Sequence, residues 1–268
     1  LSELVDTTRR RTVGVRDVPW VFLAPRRLFA RVEDVAAYGW PLVLLLTAVT
    51  LVGQATVLTG LIDREVDRQV LDQIAQIDRQ QRDVVERSEL RRLYEHERKQ
   101  GEFRKFLARL QVIVAEPVKA LTAVLLVAAA LYGVVALTGR KAEWHTLLTI
   151  CVYAGFIDLA RLLFELVLML SFGTLEVYTS PAIGARWLLK GAGDLQPSVL
   201  AAVSGALSGL DPFRIWFWAV VAIGLLTTAQ LSRRRAWIVC GLCWLAATGS
   251  RAALAVAAAT QAARAAAG

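Results

Sequence analysis

Residues 144–172 read WHTLLTICVYAGFIDLARLLFELVLMLSF: an apolar run of bilayer length that carries Asp158, Arg161 and Glu165 near its middle. A helix needs about 20 residues, at about 1.5 Å each, to cross the hydrocarbon. At about 100° per residue, Asp158 and Glu165 point the same way and Arg161 lies about 60° round from them. Phe156, Ala160, Leu163, Phe164 and Val167 line the opposite side, so lipid can meet an uncharged surface. The Leu, Ile, Val and Phe side chains of the run favour insertion by about 4 to 8 kcal/mol in total. Three isolated charges near mid-depth oppose it by about 2.5 to 3.5 kcal/mol apiece. The i,i+3 pair Asp158–Arg161 and the i,i+4 pair Arg161–Glu165 lower that penalty. Burial of the charged face against other helices, or against a wet cavity, removes most of the rest. This helix asks for neighbours.

The whole chain supplies them. Of its 268 residues 56% are hydrophobic, mean hydropathy is +0.49, and the apolar residues are gathered into blocks. That pattern predicts an all-α, polytopic membrane helix bundle rather than a soluble domain. The net charge of +8 does not point to nucleic acid, because the basic residues cluster at the ends of apolar blocks, where they orient a membrane protein. Cys151, Cys240 and Cys243 all lie inside apolar segments, which indicates no disulfide framework. Cys240-Gly-Leu-Cys243 is spaced like a redox motif but sits in a predicted membrane helix, where small-residue packing explains it. The first apolar block comes after forty mostly polar residues, so no signal-peptide pattern is expected.

Taken in order, residues 1–40 form a polar segment in which Trp20, Phe22, Leu23, Leu28, Phe29 and Val32 alternate with arginines. A short helix starting near Pro25 either lies in the membrane interface or packs on the bundle. Five predicted transmembrane helices follow, at 41–62, 117–139, 144–172, 212–232 and 236–258, with a tail at 259–268. Between the first two lies a charged insert, 63–116, with twelve acidic and twelve basic residues. Its apolar stripes (Ile62, Val66, Val70, Ile74, Ile77; then Phe103, Phe106, Leu107, Leu110) predict a helical hairpin with bends near Ser88 and Gly101. Residues 173–211 suggest two short interfacial helices, and Gly205-x-x-x-Gly209 permits a close helix contact. Asp211-Pro212 opens the fourth span as N-cap and first helical residue, and Arg251 is assigned to the far interface.

Basic residues set the orientation. Arginines precede the first span, Arg140 and Lys141 separate the second and third, and Arg233, Arg234 and Arg235 separate the fourth and fifth. By the positive-inside rule the N-terminus is cytoplasmic, the C-terminus extracytoplasmic, and both the 63–116 insert and the 173–211 segment extracytoplasmic.

The run LDPFRIWFWAVVAIGLLTTAQLSRRRAWIVCGLCWL, with the five-span layout, resembles the Yip1 domain family in its bacterial form. The likeness is carried by Asp211-Pro212-Phe213-x-x-Trp216, by Gly224 and by the short Ser-Arg turn before the last span. Tyr178-Thr-Ser-Pro181-Ala182, Pro25-x-x-x-Phe29 and the TLLTICVYAGF opening of the third span agree, over about residues 20 to 250. In that family the middle of the third span is usually apolar, so Asp158, Arg161 and Glu165 are a departure. The resemblance implies a non-enzymatic protein of the bacterial plasma membrane. Eukaryotic relatives bind small GTPases and one another; some bacterial relatives occur beside ABC-type exporters.

No G-x-x-x-x-G-K-[ST] loop and no G-x-S-x-G elbow is present, so neither that route to ATP hydrolysis nor an α/β-hydrolase nucleophile is indicated. His96 and His145 are far apart in the chain, and no metal site or cofactor is read. Asp158, Arg161 and Glu165 are the constellation that stands out. They form a self-neutralising network that fixes packing, a contact for a partner's helix, or an ion or proton path. Two functions follow: an accessory or scaffold protein whose partners are the lipid bilayer and another membrane protein (complex subunit or second copy), or a small carrier or channel lined by those residues. The absence of a convincing internal repeat favours the scaffold.

Overall fold

The computed structural model describes residues 13–32, 37–81, 86–137, 143–175, 179–180, 197–229 and 231–267. Regular structure among them is helical. In chain order the principal elements are α1 (Trp20–Leu23), α2 (Pro25–Phe29), α3 (Gly39–Leu58), α4 (Leu61–Gln81) and α5 (Arg87–Leu110). They continue with α6 (Glu116–Leu137), α7 (Trp144–Phe172), α8 (Pro197–Leu207), α9 (Pro212–Thr228) and α10 (Arg233–Ala267). A π-helical turn, Gln111–Ala115, joins α5 to α6 without a break.

Four helices are long and apolar enough to cross a membrane: Gly39–Leu58, Arg87–Leu137, Trp144–Phe172 and Arg233–Gln261. The predicted fourth span stands differently. Helix α9 has 17 residues, about 26 Å at 1.5 Å per residue, which falls short of a hydrocarbon core of about 30 Å. It reaches bilayer length only together with Ala201–Leu210, from which it is bent by 52°. The polytopic all-helical architecture therefore holds, with four spans, or five if the bent pair counts as one.

The chain divides into two compact units. The first comprises Leu1–Leu45, Leu121–Arg161 and Tyr178–Gly268. Its core is the opening half of α7, where every residue from Thr146 to Ile157, and Leu159, is buried. A helix apolar on all sides must be covered on all sides. Part of the cover comes from Leu45 and Val124, which both approach Gly155, and from α9, whose Gly224 sits against Ile150. The hydroxyl of Tyr153, fully buried, donates to the Gly14 carbonyl at 2.8 Å. Helix α2 packs on α9; Leu28 and Phe29 are 1% exposed while Arg26 and Arg27 face outward. Of the two readings of this short helix, the packed one matches where its apolar side chains lie. Helix α8 packs along α10, and a Cβ on Gly205 would lie 2.8 Å from Ala252 Cα. A side chain there would push the helices apart.

The second unit comprises Leu46–Ala120 and Leu162–Val177. Here the first apolar helix ends at Leu58, not at 62, because Gly60 takes a left-handed φ of 69°, a conformation that stops a helix and suits glycine. Leu61 and Ile62 then begin α4, where both are buried. Helices α4 and α5 form an antiparallel hairpin pinned by Asp63–Arg109, Asp67–Lys105 and Asp78–Tyr94. The bend expected near Gly101 is not there. Gly101 lies inside α5, where its missing side chain admits Val70: an added Cβ would sit 2.7 Å from Val70 Cγ2. The glycine serves close helix packing rather than a turn. Ser88 falls in the first turn of α5, and the residues just before it, 82–85, lie outside the described residues.

Candidate functional site

The polar constellation forms within the first unit, around Arg161. Asp158 and Arg161 sit one turn apart on α7, with Arg161 Nε 3.9 Å from Asp158 Oδ1. On its other side, Arg161 Nη1 lies 4.0 Å from Oδ2 of Asp211. Asp211 is itself fixed by two hydrogen bonds. The Phe213 backbone N–H donates to Oδ1 at 2.9 Å, and the Thr179 hydroxyl donates to Oδ2 at 2.5 Å. The first of these is an N-cap: Pro212 takes the first helical position and Asp211 accepts from the second, so one carboxylate closes the helix and faces the guanidinium. From α10, the guanidinium of Arg251 lies within electrostatic range of Asp158, Asp211 and Arg161.

Together these four side chains, two carboxylates and two guanidiniums, are formally neutral. Their burial is uneven. The side chain of Asp211 is 3% exposed and that of Arg161 22%, while Asp158 leaves 43% of its side chain on the surface. Buried charges persist only when paired and hydrogen-bonded; Asp211 meets that condition within this chain. Glu165 follows Arg161 by four residues. It lies in Leu162–Val177, the stretch of α7 that belongs to the second unit. Two of the four side chains, Asp211 and Arg251, stand apart from the sequence constellation, Asp211 as a helix cap and family-motif residue and Arg251 as an interfacial charge. The signal for them was available: Arg251 is the sole charged residue between Ala236 and Ala258.

The motif residues that carried the family resemblance have structural posts. Pro25 opens α2, Trp216 packs edge-on against Phe22 with ring centroids 6.3 Å apart, and Gly224 admits Ile150. Pro181, Arg140 and Lys141 lie outside the described residues. Arg233, Arg234 and Arg235 stand exposed at the start of α10. Among the described residues, no three His, Cys, Asp or Glu side chains are grouped to hold a metal ion.

The family model for the Yip1 domain matches residues 21–253. The chain belongs to the Yip1 domain family. Neither a curated protein nor a solved structure matches it. The Yip1 domain is not a known enzyme family, and with several apolar helices this member is a multi-pass membrane protein in contact with lipid.

Proposed function

We propose that this Yip1 domain protein is a non-enzymatic accessory or scaffold subunit that binds and supports another membrane protein, such as an ABC-type exporter. The observation that carries the reading is the exposure of Asp158. A carboxylate near the middle of an apolar helix opposes insertion by about 2.5 to 3.5 kcal/mol, and 43% of this one remains uncovered. A donor-bearing helix of a partner at that point covers the carboxylate and uses its cost as specificity. The compact pairing of Arg161 with Asp211 supports the same view, since it closes the group inward rather than leaving a polar route. The proposal includes five crossings, with the bent Ala201–Leu210 and Pro212–Thr228 pair as the fourth. It also includes a bacterial plasma membrane with the N-terminus cytoplasmic, the C-terminus extracytoplasmic and the 63–116 hairpin outside, supported by the arginine clusters.

The test is native purification in mild detergent followed by mass spectrometry, for wild type and Asp158→Leu. A stoichiometric membrane partner that is lost in the variant, while the variant itself stays in the membrane with unchanged melting, is the expected result. Retention of the partner by Asp158→Leu, or solute flux through liposomes holding the purified protein alone, overturns the reading.

A further inference from the structure

Helices α9 and α10 enclose a groove of about 310 Å³ lined by Leu210, Ile215, Trp218, Trp237, Cys240 and Trp244, with Ala219 and Gly241 between them. Three tryptophans share one small site, and none of its side chains carries a charge. Cys240, 2% exposed, forms the floor, while Ile215 and Trp237 stand open at 52% and 47%. Trp244 donates its indole N–H to the Gly209 carbonyl at 3.0 Å, so its polar atom is satisfied internally and its ring presents carbon to the groove. The volume is at the lower end for a small-ligand site.

The chemistry changes at one end. Trp237, Cys240, Gly241 and Trp244 recur at i, i+3, i+4 and i+7, one face of α10. Arg233 and Arg234 precede Trp237 by four and three residues, so they continue that face one turn further, about 5 Å along the axis. Arg235 adjoins them. All three are exposed and make no ion pair or hydrogen bond among the described residues. No Asp or Glu follows Asp211 anywhere in the sequence, so this part of the chain offers them no counter-charge. A dry aromatic groove between two apolar helices that ends in arginines with no acidic partner among the described residues is complementary to one kind of molecule, an acyl chain with an anionic head. Basic pockets between membrane helices hold anionic lipid headgroups in this way.

We propose that the groove binds a single anionic phospholipid, with an acyl chain against Trp218, Trp237 and Trp244 and the phosphate on Arg233 and Arg234. This inference is independent of the partner proposed for Asp158. A lipid held there lies between α9 and α10 and steadies α9, the helix too short to cross alone.

Tryptophan quenching by brominated lipid tests it on the full chain in phosphatidylcholine vesicles. A minor fraction of chain-brominated phosphatidylglycerol is compared with the same fraction of chain-brominated phosphatidylcholine. Wild type is expected to show about a tenfold preference for the anionic lipid. Arg233→Gln with Arg234→Gln should abolish the preference. Gly241→Leu should abolish it too with both arginines intact, because a side chain at Gly241 meets nothing within 4 Å and fills the groove without a clash. Equal quenching by the two lipids overturns the proposal. So does a preference that survives in Gly241→Leu, which would place the lipid on the arginines alone. Circular dichroism melting of each variant confirms that the fold is unchanged before quenching is compared.

Discussion

The hairpin of α4 and α5 and the polar group on α7 are built from the same side chains and owe them different things. Along the hairpin, Arg109 grips Asp63 at 2.5 to 3.0 Å and Lys105 bridges Asp67 and Glu102 at 2.7 and 2.9 Å. On α7, Arg161 stands 3.9 and 4.0 Å from its two carboxylates. By distance the hairpin pairs look far stronger. Yet each hairpin pair keeps one partner well exposed (Asp67 57%, Glu102 74%, Arg109 46%), which screens the attraction, so each contributes little. Asp211, 3% exposed, has its carboxylate shut away from solvent, and there the cost of losing a partner governs. Location decides the worth of an ion pair, more than its length.

The sharpest way to break that contrast is Asp211→Ala. It removes the helix cap, the acceptor for Thr179 and a counter-charge for Arg161 in one step. Melting of the purified protein in detergent should fall by about 3 to 5 kcal/mol, while Asp211→Asn, which keeps a capping oxygen, should lose less. A second variant probes packing in the same unit without touching charge. In Gly224→Val the new Cβ would lie 2.6 Å from Ile150 Cγ2, an overpacking cost of about 1 to 3 kcal/mol. Adding Ile150→Ala should recover part of it in the same melting assay. The smallest effect belongs to the hairpin. Asp63→Asn and Lys105→Gln should each shift the melting of hairpin helicity by little, and that little should vanish in concentrated salt. The loss in Asp211→Ala should persist in salt, and a salt-sensitive loss there would erase the distinction.

The helices themselves were legible because burial in lipid and burial in a hairpin leave different periodicities. Residues 144–172 show a long apolar run broken only by a few polar side chains near its middle, and α4 shows Ile62, Val66, Val70 and Ile74 at helical spacing. Endings were less legible. Gly60 and Gly101 are the same residue type, and only the tertiary contact with Val70 tells that the second continues a helix instead of ending one. The polar group was half visible. Asp158 and Arg161 stand out against their apolar run, whereas Asp211 carries a local explanation as a cap that hides its second role. Pairing across 50 residues leaves no local trace. Arg251, 90 residues beyond Arg161, was harder still.

The spacing of the hairpin bonds has one more implication. From Asp63 to Asp67 to Asp78, the partners step back from Arg109 to Lys105 to Tyr94, four and then eleven residues on both helices. Eleven residues are close to three full turns, so the second and third bonds leave from the same face of each helix. Helix α4, with 21 residues, is about 31 Å long and is bonded to its partner along that length. Bonded near its base and again well along its length, the pair bends less readily than either helix alone, so a pull at one end of the hairpin is passed along both helices together.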